Sequence, residues 1–510
     1  MASTQPNIVL IMADQLAPQF TGAYGHPVIK TPHMDALVAR GMRFDAAYCN
    51  SPLCAPSRFS FMSGQLISRI AAYDNGSEFP ASIPTFAHYL KTSGYRTCLS
   101  GKMHFIGPDQ KHGFEDRVTT DIYPADFAWT PDWEAGDERM DKWWHNMQTV
   151  KESGMGYATF QTDYDDEVGF AAKRWLFNQA RDSAHGNVNP FCLVASFIHP
   201  HDPYVARPEW WNLYDDQDVG MPEYVLSADQ QDPFSKRVMD GIEASYIPLT
   251  DEEVRRARRA YFANVSYFDS KVGELIQTLE ETGMIDNTII IVTADHGDML
   301  GERGLWYKMN FFEHSARVPL IMAGPSIGQG TIQNACSLVD ILPTFLDIAG
   351  ADDSILGEPI DGHSLLPLAR GEPDPKDEAI GEYCAEMTPY PVFMIRRGAL
   401  KYIHCDPDPP QLYDIVSDPL EKVNLANDTT YAKQAQAFKK EVADRWDSED
   451  LRNRIIITQK SRRALHSAME AGAGEPWDYN PSRDASKEYV RNDMDWPIVA
   501  AKTRFPPFNN

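Results

Sequence analysis

Asn7-Ile8-Val9-Leu10-Ile11-Met12 reads as a short buried strand with Asp14 directly behind it. The same pattern returns three times further along the chain. Arg96-Thr97-Cys98-Leu99-Ser100 runs into Gly101-Lys102-Met103-His104, the apolar run from Phe191 to Phe197 precedes His199, His201 and Asp202, and Thr288-Ile289-Ile290-Ile291-Val292 ends in Asp295-His296-Gly297-Asp298. Continuous apolar runs between amphipathic stretches are the pattern of parallel strands covered on both faces by helices. In open α/β sheets ligands bind beyond the carboxyl ends of the strands, so four segments deliver polar groups to one rim. The expected fold class is α/β: a large, mostly parallel sheet sandwiched by helices, with a smaller C-terminal α+β subdomain and an extended C-terminal tail.

A chain of 510 residues exceeds what one hydrophobic core usually supports, which fits one large domain and a smaller one. Its 47 Lys plus Arg against 73 Asp plus Glu leave a net charge of −26. That balance argues against nucleic acid or an anionic membrane as partner, and it requires local cations to hold any anionic substrate. Seven cysteines, at 49, 54, 98, 192, 336, 384 and 405, are scattered and form no Cys-x-x-Cys pair. They point to a reducing compartment and away from a zinc knuckle. Met1 to Pro6 has neither the basic start nor the long apolar run of a signal peptide, and no stretch approaches a membrane span, so a cytoplasmic location is expected.

Cys54-Ala55-Pro56-Ser57-Arg58 says most about chemistry. Proline suits the first helical position, so a helix over 56–64 is expected, with Cys54 just ahead of an anion-attracting N-terminus. Asp14, Asp295 and His296 offer the hard oxygens and imidazole that a divalent cation site needs. Arg58, Lys102, His104, His201 and Lys308 all follow strand ends or Cys54. Fixed cations of this kind stabilise negative charge that grows on an ester as its bond breaks.

Cys-x-Pro-Ser-Arg followed by Ser63-Gly64 resembles the signature of the type I sulfatases of the alkaline phosphatase superfamily. Gly101-Lys102-x-His104, Pro200-His201-x-Pro203-Tyr204 and Gly304-Leu305-Trp306-Tyr307-Lys308 are similar to further blocks of that family. The resemblance implies that Cys54 is oxidised to 3-oxoalanine (formylglycine) by a formylglycine-generating or anaerobic sulfatase-maturating enzyme. It also implies that Asp14, Asp295 and His296, with residue 54, hold one divalent cation. Calcium is the expected ion, with manganese and magnesium open. Many members carry a second acid where this chain has Gln15, which leaves the place of Gln15 as a ligand open. The implied mechanism has the hydrated aldehyde, acidified by the metal and Arg58, attack sulfur while His201 with Lys308 protonates the leaving alkoxide. His104 then deprotonates the second hydroxyl and sulfate leaves, a route closed to an unmodified Ser or Cys. His199 matches no block and is expected to be structural.

Trp129, Trp133, Trp143 and Trp144 fall within sixteen positions. Such crowding fits either core packing or a box for a quaternary ammonium, which is held by aromatic faces and a carboxylate. Tyr73-Asp74-Asn75, Lys102 to Phe114, Asp121 to Phe127 and Gly301 to Pro319 resemble the branch of the family that cleaves choline O-sulfate to choline and sulfate. That likeness implies Asn75 at the sulfate and Trp129, His145 and Glu386 around the trimethylammonium. Gln65 stands where many arylsulfatases have Arg. Two other functions stay open: a phosphonate monoester or phosphodiester hydrolase, and a non-catalytic quaternary-amine binding protein if Cys54 is unmodified.

The expected domains are a catalytic one over 1–370, a small one over 371–460 and a tail over 461–510. Gly371-Glu372-Pro373-Asp374-Pro375 reads as the linker between the first two. Val392 to Ile403 and Gln411 to Ile415 read as antiparallel strands, and Tyr431 to Trp446 as a helix. The tail starts basic and helical and ends in aromatics among prolines. It is expected to wrap a neighbouring subunit of a homo-oligomer, a dimer or tetramer, with packing on its own domain as the alternative.

Overall fold

The computed structural model describes residues 5–135, 145–186, 189–472, 477–482 and 495–507. The strands that position the site are β1 (Asn7–Asp14), β2 (Met42–Phe44), β3 (Arg96–Gly101), β4 (Asp116–Arg117), β5 (Phe191–Pro200), β6 (Thr288–Ala294), β7 (Leu320–Ala323) and β8 (Gly330–Ile332). Among the described residues they form one sheet in the order β8-β2-β7-β6-β1-β5-β3-β4. The four strands expected from the sequence, β6, β1, β5 and β3, are neighbours at its centre and all parallel. β7 runs antiparallel to β6 and makes the sheet mixed on that side. Every residue of β1, β5 and β6 is buried, as strands covered on both faces must be.

Helix α1 (Cys54–Ser63) starts two residues earlier than the sequence suggests, with Leu53 as its N-cap. The first i to i−4 bond runs from the Ser57 amide to Leu53 O at 3.0 Å, so the missing N–H of Pro56, third in the helix, costs no bond. Cys54 therefore lies in the first turn and not ahead of it. Helices α2 (Phe160–Ala184) and α3 (Asp251–Glu281) pack against β5 and against each other, while α1 packs against α4 (Ile341–Ile348). Thr250 and Glu253 close a capping box at the start of α3, and three acids in its first turn suit the positive end of the helix dipole.

The C-terminal sheet is an antiparallel meander of β9 (Glu378–Tyr383), β10 (Val392–Arg397), β11 (Leu400–Cys405) and β12 (Gln411–Asp414). The run expected as strand from Val392 to Ile403 is thus a hairpin, turning at Gly398 where φ is 57°. Alternation along β10 sends Val392 and Met394 into the main core and Phe393 and Ile395 into a second one. The second core also takes Ile67, Tyr73 and Trp133 from the large domain and Phe438 and Val442 from α5 (Ala432–Arg445). Lys401, buried between Glu313 and Glu421, ties the small sheet to the short helix over Glu313–Ala316.

The domain boundary expected at 460/461 falls inside a helix, because α6 runs unbroken over Ser448–Ala471. The described parts of the tail pack on their own chain. Trp477 meets the Phe127 ring edge-on at 5.2 Å, Tyr479 donates to Arg117 O at 3.0 Å, and Thr503, in α7 (Trp496–Thr503), accepts from Arg181 at 2.7 Å. All seven cysteines are free and buried, and no helix among the described residues is long and apolar enough to cross a membrane.

Gly101 ends β3 with φ at 104° and aims the following residue, Lys102, into the rim; a Cβ there would lie 1.9 Å from Ser196 O. Gly101→Ala is expected to cost roughly 2–5 kcal/mol from left-handed backbone and overpacking together. Denaturant unfolding measures it, and a change under about 1 kcal/mol would contradict that close approach.

Candidate active site

Four strand ends and the first turn of α1 converge on one buried point. Asp14 ends β1, Asp295 and His296 follow β6, and Cys54 opens α1; one ligand atom from each lies within 4.8 Å of the others. Cys54 Sγ is 3.3 Å from His296 Nε2 and 3.8 Å from Asp14 Oδ1. His296 places its Nδ1 3.0 Å from Gly297 O, which turns Nε2 toward the cluster. Burial first, then Lys308, pushes the His296 pKa down to about 4, against the pull of Asp295, so the ring is neutral and carries a lone pair.

Burial alone would raise the Asp14 pKa, yet Lys102 and Arg58 hold it well below the ordinary carboxylate range. Two carboxylates and a neutral imidazole fit a divalent cation. The Cys54 thiol fits less well as encoded. Burial, then Asp14, pushes its pKa up to about 11, so it is a thiol and not a thiolate ligand.

Arg58 is fully buried and spends its whole guanidinium on this convergence. Nε donates to Asp295 at 2.8 Å, Nη2 to Asp14 at 3.1 Å, and Nη1 to Lys102 O at 2.7 Å and Ser196 Oγ at 2.8 Å. Lys102 Nζ pairs with Asp14 and sits 4.3 Å from the centre of the Tyr123 ring. His104 holds φ at 59°, and its amide and that of Met103 both donate to Asp121, at 2.9 and 3.0 Å. Neither ring nitrogen of His104 has a hydrogen-bond partner among the described residues. Burial, with Lys102 and Arg58, drives its pKa well below the ordinary value, which makes it a neutral acceptor.

Lys308 Nζ lies 2.9 Å from His201 Nε2 and donates to Gln15 Oε1. His201 Nδ1 is 2.7 Å from Asp202 O, and burial, then Lys308, sets its pKa well below 6.5. The imidazole is therefore neutral with Nε2 as acceptor, and the proton this pair can offer is the lysine's. Gln15, next to Asp14, has both ends of its amide engaged by neighbouring side chains. Its Oε1 faces Lys308 and its Nε2 donates to Asp298 at 2.7 Å. His145, His201 and Asp202 form a second group with metal-ligand spacing, but there the Lys308 ammonium already stands against His201.

Asn75 Oδ1 accepts the Ala55 amide at 3.0 Å, one residue from Cys54. Trp129 meets the rings of His104 and Tyr123 edge-on at 5.6 and 5.1 Å, and His145 pairs with Asp202 at 3.1 Å beside Tyr307. Glu386 follows β9; the Tyr383 phenol is pushed up by burial and then by Glu386 and Asp74. Trp133 is core, with its Nε1 donating to Ala385 O at 2.8 Å, while Trp143 and Trp144 lie outside the described residues. Gln65 faces Glu358 at 3.2 Å, and His199 pairs with Asp165 at 2.7 Å as a structural histidine does. Sequence reasoning missed Ser196, Asp121, Tyr123 and the dual contact of Asp202 with His145 and His201. Asp202 carried a signal from its place inside the Pro200-to-Tyr204 block, and Asp121 and Tyr123 from theirs in the Asp121-to-Phe127 stretch, whereas Ser196, inside a buried strand, carried none.

A family model described as Sulfatase matches residues 6–351, and one described as Choline sulfatase enzyme C terminal matches residues 453–505. The chain is 47% identical over 510 residues to a choline-sulfatase of Rhizobium meliloti, covering 99% of each chain. It is 29% identical over 450 residues to human arylsulfatase K, covering 83% of this chain and 80% of that one. The crystal structure of a phosphonate monoester hydrolase of Agrobacterium radiobacter superposes with a TM-score of 0.69 at 23% identity, covering 91% of this chain and 96% of that one, which establishes the shared fold.

Arg58→Met would leave two buried carboxylates against Lys102 alone. The expected cost in metal-free protein is about 3–5 kcal/mol by urea unfolding, and a loss under about 1 kcal/mol, as for an exposed pair, would contradict the network described.

Proposed function

This chain belongs to the sulfatase family, and we propose that it hydrolyses choline O-sulfate to choline and inorganic sulfate through 3-oxoalanine formed from Cys54. The observation that carries this reading is full-length identity to a choline-sulfatase at 47%, joined to a Cys54 that opens a helix among Asp14, Asp295, His296, Arg58 and Lys102. A divalent cation held by Asp14, Asp295, His296 and residue 54 would supply positive charge to the sulfate and nucleophile, and the hydrated aldehyde would supply the attacking hydroxyl. Calcium suits a set dominated by carboxylates.

The chain's own residues then have distinct tasks. Arg58 and Lys102 hold positive charge beside residue 54 as the ester's oxygens gain negative charge. Asn75, with Oδ1 fixed on the Ala55 amide, has Nδ2 to offer a sulfate oxygen. Lys308 Nζ gives its proton to the departing alkoxide, with His201 Nε2 and Gln15 Oε1 orienting it. His104, neutral and buried, accepts the proton whose loss lets sulfate depart. Trp129, His145 and Glu386 would border the trimethylammonium, a group recognised by aromatic faces and charge.

The six other buried free thiols support residence in a reducing compartment, the cytoplasm, where a formylglycine-forming enzyme would act on Cys54. The exposed Trp496 of α7 supports a role for the tail between subunits of a homo-oligomer.

Four outcomes are expected. The tryptic peptide holding position 54 should have the mass of the aldehyde or its hydrate in active protein. Cys54→Ala should stay folded and lose at least about 10⁴-fold in kcat; activity retained in that variant, or an unmodified thiol in fully active protein, would sink the mechanism. Chelation should lower activity and calcium restore it. Truncation at Ala471 should reduce the native mass measured by light scattering, and an unchanged oligomer would remove the tail from that role.

A further inference from the structure

Helix α6 carries a guanidinium into the back of the substrate site. Arg462 is 7% exposed and grips Asp74, itself fully buried, with both arms, Nη1 to Oδ1 at 2.6 Å and Nη2 to Oδ2 at 2.8 Å. The same Nη1 donates to Thr130 Oγ1 at 3.2 Å. Asp74 precedes Asn75, and Thr130 follows Trp129. One planar fork therefore holds two loops whose next residues face opposite ends of the proposed substrate.

The joint between those loops is already tight. Asp74 Oδ1 accepts the Gly76 amide at 3.0 Å, and a Cβ on Gly76 would stand 2.5 Å from the Thr130 nitrogen and 2.7 Å from the Trp129 carbonyl carbon. One turn earlier on α6, Gln459 accepts the Trp133 amide at 2.9 Å. At the surface, Lys460 reaches Glu134 at 2.7 Å and Arg463 pairs with Asp132. The far end of each loop is fixed too: Asn75 on the Ala55 amide, and Trp129 against the rings of His104 and Tyr123. Arg462 is the shared buried member that relates the two.

We propose that Arg462 is a specificity-determining positioning residue, whose fork on Asp74 and Thr130 sets the span between Asn75 and Trp129 and hence the length of cationic sulfate ester accepted. The inference rests on the choline O-sulfate reading and adds a ruler to it. Lysine is no substitute, because a point charge cannot take both carboxylate oxygens and the hydroxyl in one plane.

The test compares three esters in the same preparation of wild type, Arg462→Lys and Arg462→Ala: choline O-sulfate, its homologue with one more methylene between oxygen and nitrogen, and an aryl sulfate with no cationic group. Taking ratios within one preparation cancels any loss of folded enzyme. Both variants are expected to lower kcat/KM for choline O-sulfate relative to the aryl ester by roughly tenfold or more, mostly through KM, and to narrow the preference over the longer homologue. Added guanidinium ion should restore part of the ratio in Arg462→Ala. Unchanged ratios, with activity on all esters falling together, would overturn the inference and leave Arg462 a structural tie. A wild type that turns over the aryl ester but not choline O-sulfate would instead overturn the substrate reading, and this inference with it.

Discussion

One guanidinium joins the carboxyl ends of all four central strands. Arg58 reaches Asp14 at the end of β1, Asp295 behind β6, the Lys102 carbonyl behind β3 and Ser196 in β5, and it does so from the helix whose first residue is Cys54. A parallel sheet gathers polar groups at this rim in any case. What Arg58 adds is register between strands and nucleophile, because its donors have fixed directions and every acceptor belongs to a different segment. A fully buried charge of this kind is tolerable only when paired, so the carboxylates that would hold a cation also hold the arginine. The candidate metal site, the buried cations and the helix start are thus one constraint seen from three sides.

The remaining charges divide along the same logic. Burial strips the three site histidines of their protons, leaving His104, His201 and His296 as lone-pair donors, while Lys308 stands against His201 and Gln15 as the group with a proton to give. Gln15 is central to that assignment. A second carboxylate at this position would pair with Lys308 and quench its charge, whereas the amide orients the ammonium without neutralising it. The departure from the family pattern at Gln15 therefore changes the surroundings of Lys308, while Asp14, Asp295 and His296 stay close enough to share a cation.

Much of this was legible in the sequence because it is local. Apolar runs ending in Asp14, Lys102, His201 and Asp295 named the four central strands, and adjacent strands bring their ends together without further information. Cys54 and Arg58 were legible from the pentapeptide. The helix start was misplaced by two residues because proline is allowed throughout a first turn, not only at its first position. Trp133 and Trp129 look alike in sequence, yet one fills the second core and the other faces the rim, a distinction set by where Ala385 and His104 arrive from distant segments. The boundary expected at 460/461 falls inside α6 for a related reason. The basic, helical start of the tail continues a helix whose inner face, Gln459 and Arg462, serves the large domain. Long-range polar pairs such as Arg462 with Asp74 leave no trace in local periodicity.

The central claim is that a cluster built around Arg58 hydrolyses a sulfate ester whose far end is a quaternary cation. The most direct measurement is kcat/KM for choline O-sulfate against 3,3-dimethylbutyl sulfate, the isostere with a neutral tert-butyl group in place of the trimethylammonium, on protein whose residue 54 has been verified by mass. The account predicts a preference for the cation of roughly 100-fold or more, since shape is conserved and only the charge facing Trp129, His145 and Glu386 differs. Equal rate constants for the two esters would contradict it.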